Sequence, residues 1–487
     1  MGPYTAQRYH ELTKYDEVSV RAGRPLDWST QPSPFKEIVS KQRIGLREYL
    51  PFRTPGQKTA PDPKRADSYP ELARLSRVLF LTNGVTGVIR YGHGAQQPLR
   101  AAPSAGALYP TEIYVGCSGI PGLDAGLYAY QPLQHELVRL WEDDPLPTLR
   151  EGCGGAEAFD GAALAAVCTG IFWRSAWRYQ ERGYRRVLLD TGHVIGNLVM
   201  ACEEEGLAAS SHTAFFDDAV NGLFFFDDSV EGALAVVPLG MHPARGPLWA
   251  TPAADPGTLD GVQILQPEDL ASSATVFLHR ASKCDCAALI DVEPGSAGTD
   301  DAIALPAGPA IEHVPAAIVR RRSARRYKQH AIELEDVAAF LRYAFAPVFP
   351  TRHQGWLRAF LIATRVDRLE PGIYEIEGAG AGLRPLSLGD ATDRVYRLCL
   401  GQELARDGAA TVVFAAESAR VLAEAGERAY RYLHLEAGEI GERLQVAARA
   451  VGAGTCGIGG FFDDDAAQLV GLSADDWVLY LVTLGQD

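Results

Sequence analysis

Apolar residues at Val187, Leu188, Val194, Leu198 and Ala201 follow the helical period and predict a long helix from about Tyr184 to Glu205. A helix of the same length is predicted from Tyr430 to Val451. Ahead of each comes a shorter helix (Glu71 to Leu81; Leu334 to Phe345) and a β stretch (Glu112 to Cys117; Ala359 to Thr364). A further β stretch closes each set, Gly232 to Pro238 and Trp477 to Leu484. Helices and strands mixed without regular βαβ alternation predict an α+β sandwich with a largely antiparallel sheet.

The two sets are copies. ERGYRRVLLDTGHVIGNL (Glu181 to Leu198) lies over ERAYRYLHLEAGEIGERL (Glu427 to Leu444), with 436 − 190 = 246 for the acidic residue. The same offset pairs Gly206 with Gly452, Phe215 with Phe461, Asp217 with Asp463, and GLYAY at Gly126 with GIYEI at Gly372. Solenoid units run to roughly 20 to 50 residues, so this period implies a duplicated domain: a homodimer fused into one chain. The expected divisions are an N-terminal arm (1–64), repeat 1 (65–241), a connector rich in Pro, Ala, Gly and Asp (242–309) and repeat 2 (310–487). With little sustained periodicity, the arm is expected to wrap a surface rather than form a core.

Composition narrows the function. Lys+Arg 46 against Asp+Glu 61 gives a net charge of −15, and there is no basic run with interleaved aromatics, which argues against a nucleic-acid partner. The apolar stretch Ala162 to Trp173 is too short to cross a bilayer and no signal-peptide core opens the chain, so a cytoplasmic protein without a membrane partner is expected. The eight cysteines read as reduced thiols, including the close pair Cys284 and Cys286, and no metal site is expected.

Three segments carry candidate chemistry. RRSARRY (Arg321 to Tyr327) offers the guanidinium groups of Arg321, Arg322 and Arg325 and the Ser323 hydroxyl to one phosphate; its alternative is a solvated basic face. RAAPSAGALYP, with Arg100, Pro103, Ser104, Ala105 and Gly106, lets backbone lie close to a planar ligand, or is simply a turn. GAGTCGIGG, with Gly457, Ile458, Gly459 and Gly460, exposes backbone N–H groups but lacks the spacing of a dinucleotide fingerprint.

Together these segments resemble the nitroreductase-like flavoprotein superfamily. APSAGALYP, the opening YHELTKY (Tyr9 to Tyr15) and RGYRRVLLDTGH with Asn197 resemble its SagB-type branch, the azoline dehydrogenases of ribosomal peptide natural-product pathways. The resemblance implies FMN as cofactor, its phosphate gripped by the R-x-S-x-R segment, its ring packed on the P-S-x-G segment, and the glycine turn near its N5. It also implies a thiazoline or oxazoline substrate on a peptide or small heterocycle, with cyclodehydratase and precursor-peptide partners.

Each copy keeps a different part. Moving Gly457, Gly459 and Gly460 back by 246 gives Ser211, Thr213 and Ala214, while repeat 2 replaces PSAGALYP by PTRHQGWL (Pro350 to Leu357). One flavin site per chain is therefore expected, assembled from both repeats as in a dimer interface. The branch carries a Lys-Tyr pair where this chain has Arg178 and Tyr179. Arginine stays protonated and cannot act as a base, so Tyr179 is the candidate for proton exchange, and Arg178 for assisting it or binding an anionic group. A nitro or quinone reductase using a nicotinamide donor, and a pseudo-enzyme scaffold for a precursor peptide, are the alternatives.

Overall fold

The computed structural model describes residues 4–21, 25–54, 61–92, 94–240, 273–284, 302–346 and 355–487. They form two compact units, one of Trp28–Leu289 and one in which Met1–Asp27 joins Ile290–Asp487. The arm is thus shared out between the units, and most of the connector lies outside the described residues.

In the first of these units the described strands form a seven-stranded sheet. Its order is Arg43–Gly45, Glu136–Trp141, Gly126–Gln131, Thr111–Cys117, Leu164–Ile171, Glu231–Gly240 and Ala208–Ala209, with every neighbour antiparallel. The other unit repeats that order with Ile303–Ala304, Gly382–Leu388, Gly372–Glu377, Arg358–Ala363, Ala410–Ala416, Trp477–Gly485 and Gly454–Ile458. The offset survives folding: 372 − 126, 382 − 136, 410 − 164, 454 − 208 and 477 − 231 are each 246. Two such antiparallel sheets with packed helices are the α+β architecture expected from the hydrophobic pattern.

The long helices run Gly183–Glu204 and Ala429–Ala450, again 246 apart. Both stop at a left-handed glycine, Gly206 (φ 67°) and Gly452 (φ 87°). Beyond each glycine the next amide returns to an orphan carbonyl, Leu207 N–H to Cys202 O at 2.8 Å and Ala453 N–H to Ala448 O at 2.9 Å. That is the physical reason these two glycines recur in the repeat. Most residues of both helices are buried, polar ones included, among them Arg185, Asp190 and His193 in the first and Arg431, Glu436 and Glu442 in the second. An amphipathic surface helix would not bury them.

Contrary to the expectation of a surface wrap, the arm contains a helix, Thr5–Leu12, with Ala6, Tyr9 and His10 buried. Within the connector the described residues form a helix, Ala274–Ala281, and an edge strand, Ile303–Ala304. Among the described residues no helix is long and apolar enough to cross a membrane, and each described cysteine is a free thiol. Cys286 lies outside them.

Candidate functional site

In the unit 28–289, the hairpin Val85–Arg90 and Gln96–Arg100 delivers the chain into the segment Arg100 to Pro110. Gly106 (φ 66°), Ala107 (φ 54°) and Tyr109 (φ 48°) are all left-handed, so the segment is a compact turn rather than a flat ribbon. Asp190 of the long helix holds it. Ser104 Oγ donates to Asp190 Oδ2 at 2.6 Å, and the Ala105 N–H donates to both carboxylate oxygens at 3.2 Å. Ser104 Oγ also accepts from the Tyr109 N–H at 2.8 Å.

Burial pushes the Asp190 carboxyl up to about 6, against the opposing pull of Ser104, Ala105, His193 and Arg186. A raised folded-state value means that the folded protein holds the proton more tightly than the unfolded chain. This group's contribution to stability is therefore full below the ordinary value of 3.8 and is lost as pH rises through about 6. Asp190→Asn removes the titration and keeps an acceptor oxygen. It is expected to flatten that part of the stability curve, and unfolding measured between pH 4 and 7 checks it; superimposable pH profiles would show that Asp190 ionisation does not strain the turn.

Arg100 faces inward. Its buried guanidinium donates to Thr111 O at 3.3 Å and to Pro34 O, lies 4.0 Å from Glu112, and packs on the rings of Phe35 and Tyr109 at 4.9 and 5.0 Å. Burial lowers its pKa to about 10. Arg174 joins the same lattice, donating to Tyr109 O at 2.8 Å and to Glu112. These two arginines secure the turn from within, leaving Pro103, Ser104 and Ala105 half-buried and Gly106 exposed.

The helix Phe172–Tyr179 ends where Gln180 turns left-handed (φ 50°). Its last two residues lie against the turn: a methyl on Gly106 would meet Tyr179 Oη at 3.1 Å and Arg178 Cδ at 3.2 Å. The guanidinium carbons of Arg178 and Arg186 stand 5.9 and 5.4 Å from the centre of the Tyr179 ring. Trp177 is buried, donating to Thr30 Oγ1 at 3.1 Å, with the exposed Trp28 ring edge-on at 5.4 Å. The structure thus brings Gly106, Arg178 and Tyr179 together on one open surface.

In the unit completed by 290–487, RRSARRY does not present equivalent arginines. Arg321 is buried with its Nε 3.4 Å from Glu442 Oε1. Arg322 Nη1 donates to Arg321 O at 2.6 Å and Val319 O at 3.1 Å, while Arg325 is exposed. The Tyr327 hydroxyl donates to Thr483 O at 3.0 Å, and burial raises its pKa. Ser323 forms a parallel bridge with Thr455, and the Ala324 N–H donates to Thr455 O at 2.8 Å. Thr455 belongs to the strand Gly454–Ile458 that leads into Gly459 and Gly460, so the arginine segment and the glycine turn share adjacent backbone. Burial raises the thiol pKa of Cys456 on this strand, with Arg325 and Arg321 acting in the opposite sense.

Gly457 pairs with Val482 in the sheet, and a methyl there would lie 1.9 Å from Tyr480 Oη. Gly460 O accepts from Gln402 Nε2 at 3.1 Å. The positions matching Arg178 and Tyr179 (178 + 246 = 424; 179 + 246 = 425) hold Glu424 and Ala425, and Glu424 accepts from the indole of the buried Trp356. Of PTRHQGWL, residues 350–354 lie outside those described. Sequence reasoning missed Asp190, Arg186 and Gln402 as supports of these segments. A carboxylate in the apolar run VLLDTGHVIG was the legible signal for the first, whereas nothing local marks the others.

Known proteins share this framework. A family model described as the Nitroreductase family matches residues 68–241 and 318–486. A nitroreductase-type protein from Anabaena variabilis superposes with a TM-score of 0.83 at 33% identity, covering 100% of both chains. The nitroreductase-type protein MJ1384 of Methanocaldococcus jannaschii is 29% identical over 35% of this chain and 80% of its own. The trifolitoxin-processing protein TfxB of Rhizobium leguminosarum is 31% identical over 29% of this chain and 40% of its own; the microcin B17-processing protein McbC of Escherichia coli is 29% identical over 28% and 52%. With both repeats matched by the family model and a solved relative similar along its whole length, the chain belongs to the nitroreductase family.

Proposed function

We propose that this chain is an FMN-dependent oxidoreductase that dehydrogenates thiazoline or oxazoline rings borne on a peptide, working with a cyclodehydratase and a precursor peptide. The observation that carries the reading is the meeting of Gly106, Arg178 and Tyr179 on the open side of the Pro103–Ala107 turn. The partial likeness to two peptide-processing proteins supports the substrate class.

The residues fit the cofactor. Arg321, held by Glu442, fixes the backbone that presents Ser323 and the exposed Arg325 to a phosphate, and the adjoining Gly457–Gly460 stretch offers backbone amides. FMN, when bound, supplies a two-electron acceptor. Oxidising a dihydro-heterocycle takes a hydride from one carbon and a proton from its neighbour. Tyr179 is the hydroxyl on the surface beside Gly106 that can take part in the proton step, and Arg178 and Arg186 stabilise negative charge on its oxygen. In this reading Arg100 is a positioning residue, Arg178 also binds an anionic group of the substrate, and Pro103, Ser104 and Ala105 pack on the ring, whereas Ile458, buried in the core cluster of its own unit, supports the glycine stretch from within.

One FMN per chain is expected, because the counterparts of the glycine turn are Ser211, Thr213 and Ala214 and those of the tyrosine pair are Glu424 and Ala425. Released flavin measured against protein concentration tests this: two per chain would overturn the single-site reading, and none would leave the scaffold alternative. Bleaching by NADH or NADPH without peptide, followed by nitro or quinone turnover, would replace the dehydrogenase with a reductase.

A further inference from the structure

The arm helix and the connector helix make the same contacts at a constant spacing of their own. Thr5–Leu12 and Ala274–Ala281 are 269 apart at both ends (274 − 5; 281 − 12). The Ala6 N–H donates to Glu427 at 2.7 Å; 269 residues on, the Thr275 N–H donates to Glu181 at 3.0 Å. His10 Nδ1 meets Tyr430 Oη at 3.2 Å, and His279 Nδ1 meets Tyr184 Oη at 2.9 Å. Lys14 Nζ lies 2.9 Å from Asp464, and Lys283 Nζ 2.6 Å from Asp218. The Tyr15 N–H donates to Asp463 at 3.0 Å, and the Cys284 N–H to Asp217 at 2.8 Å. Even the hydroxyl that closes each helix repeats: Thr13 Oγ1 donates to His10 O at 3.2 Å and Ser282 Oγ to His279 O at 3.0 Å. On the receiving side, 427 − 181, 430 − 184, 463 − 217 and 464 − 218 are each 246.

We infer that residues 4–15 and 273–284 are two copies of one docking helix with exchanged seats, so that each core repeat is completed by the helix that precedes the other repeat in the chain. The partner that each socket of Glu, Tyr and paired Asp accepts is a helix carrying a histidine and, four residues later, a lysine. The repeating unit is then helix plus core, longer than the core alone. The step from helix to core is 269 − 246 = 23 residues shorter in the second copy. Reciprocal exchange of an identical element is a low-cost way of tying two copies together, and it persists here within one chain.

The seat of the connector helix also bears on the candidate catalytic pair, a consequence that rests on the function proposed above, whereas the exchange itself does not. Glu181 follows Tyr179 by two residues, and the His279 ring lies 4.7 Å from Phe172, the first residue of the helix that ends at Tyr179. Thr275 and His279 are thereby positioning residues for Tyr179. The other seat supports only Glu424 and Ala425 at those places.

Backbone hydrogen exchange on the full chain tests this without any substrate. His10→Ala is expected to lower protection about tenfold or more in 418–430 and to leave 172–184 unchanged; His279→Ala is expected to do the reverse. If either substitution unfolds the chain, Lys14→Met and Lys283→Met probe the same seats through the ion pairs to Asp464 and Asp218. Loosening that follows sequence order, with His10 acting on 172–184, overturns the inference. So does an equal loss in both segments, or no loss in either. Failure of the dehydrogenase chemistry with this exchange pattern intact would count against the function alone.

Discussion

Tyr179→Phe is expected to lower turnover by about 10²-fold to 10⁴-fold while flavin content stays at the wild-type level, the size associated with a lost general acid–base group. The substitution removes the oxygen that lies 3.1 Å from the methyl position of Gly106 and keeps the ring that Arg178 and Arg186 approach. Packing is therefore preserved and the proton step alone is affected. Arg178→Lys, which restores the residue type of the branch this segment resembles, is expected to alter substrate affinity more than turnover, since a guanidinium donates charge and hydrogen bonds but takes no proton. Steady-state kinetics at equal flavin occupancy check both. Unchanged turnover in Tyr179→Phe would make this tyrosine a rim residue and remove the proton role assigned to it.

The second large effect is expected at Gly457→Ala. The added methyl would sit 1.9 Å from Tyr480 Oη and 2.8 Å from its Cζ, on a strand held in register by Gly457 opposite Val482 and Ile458 opposite Leu481. Neither the rigid ring nor the paired backbone can yield cheaply, so a loss of about 1 to 3 kcal/mol is expected, the range for overpacking a filled interior. Flavin retention should fall with it, because the same strand carries Thr455 to Ser323 and Ala324 and leads into Gly459 and Gly460. Tyr480→Phe in the same chain removes the nearest atom and is expected to recover part of the stability. Thermal unfolding of the single and double variants decides the matter: a Gly457→Ala protein as stable as wild type would mean that the strand shifts freely and that glycine is present for another reason.

The sequence by itself determined the duplication, the element order and the α+β class. The class and element order follow from near-neighbour regularities, the helical period in 183–204 and 429–450 and the glycines that end both helices, and the duplication follows from an offset of 246 that residue identities keep along the chain. It also marked out the arginine segment, the glycine turn, the Pro-Ser-Ala-Gly segment and the tyrosine pair, because residue type and spacing are chemical facts before folding. Which of these meet was decided by tertiary structure alone. Gly106 touches Tyr179 because the turn is anchored on Asp190, and Asp190 reaches it only once the long helix is buried. The three arginines are disposed differently for a related reason: burial set Arg321 against Glu442, Arg322 donates to the backbone oxygens of Val319 and Arg321, and Arg325 is left outside. The docking helices were the least legible. Their own pattern is short, and the likeness of YTAQRYHELTKY to SATVFLHRASKC emerges only when each lies in its socket of Glu, Tyr and Asp. A long-range seat of that kind leaves no local period in the chain, since its contacts join residues hundreds of positions apart.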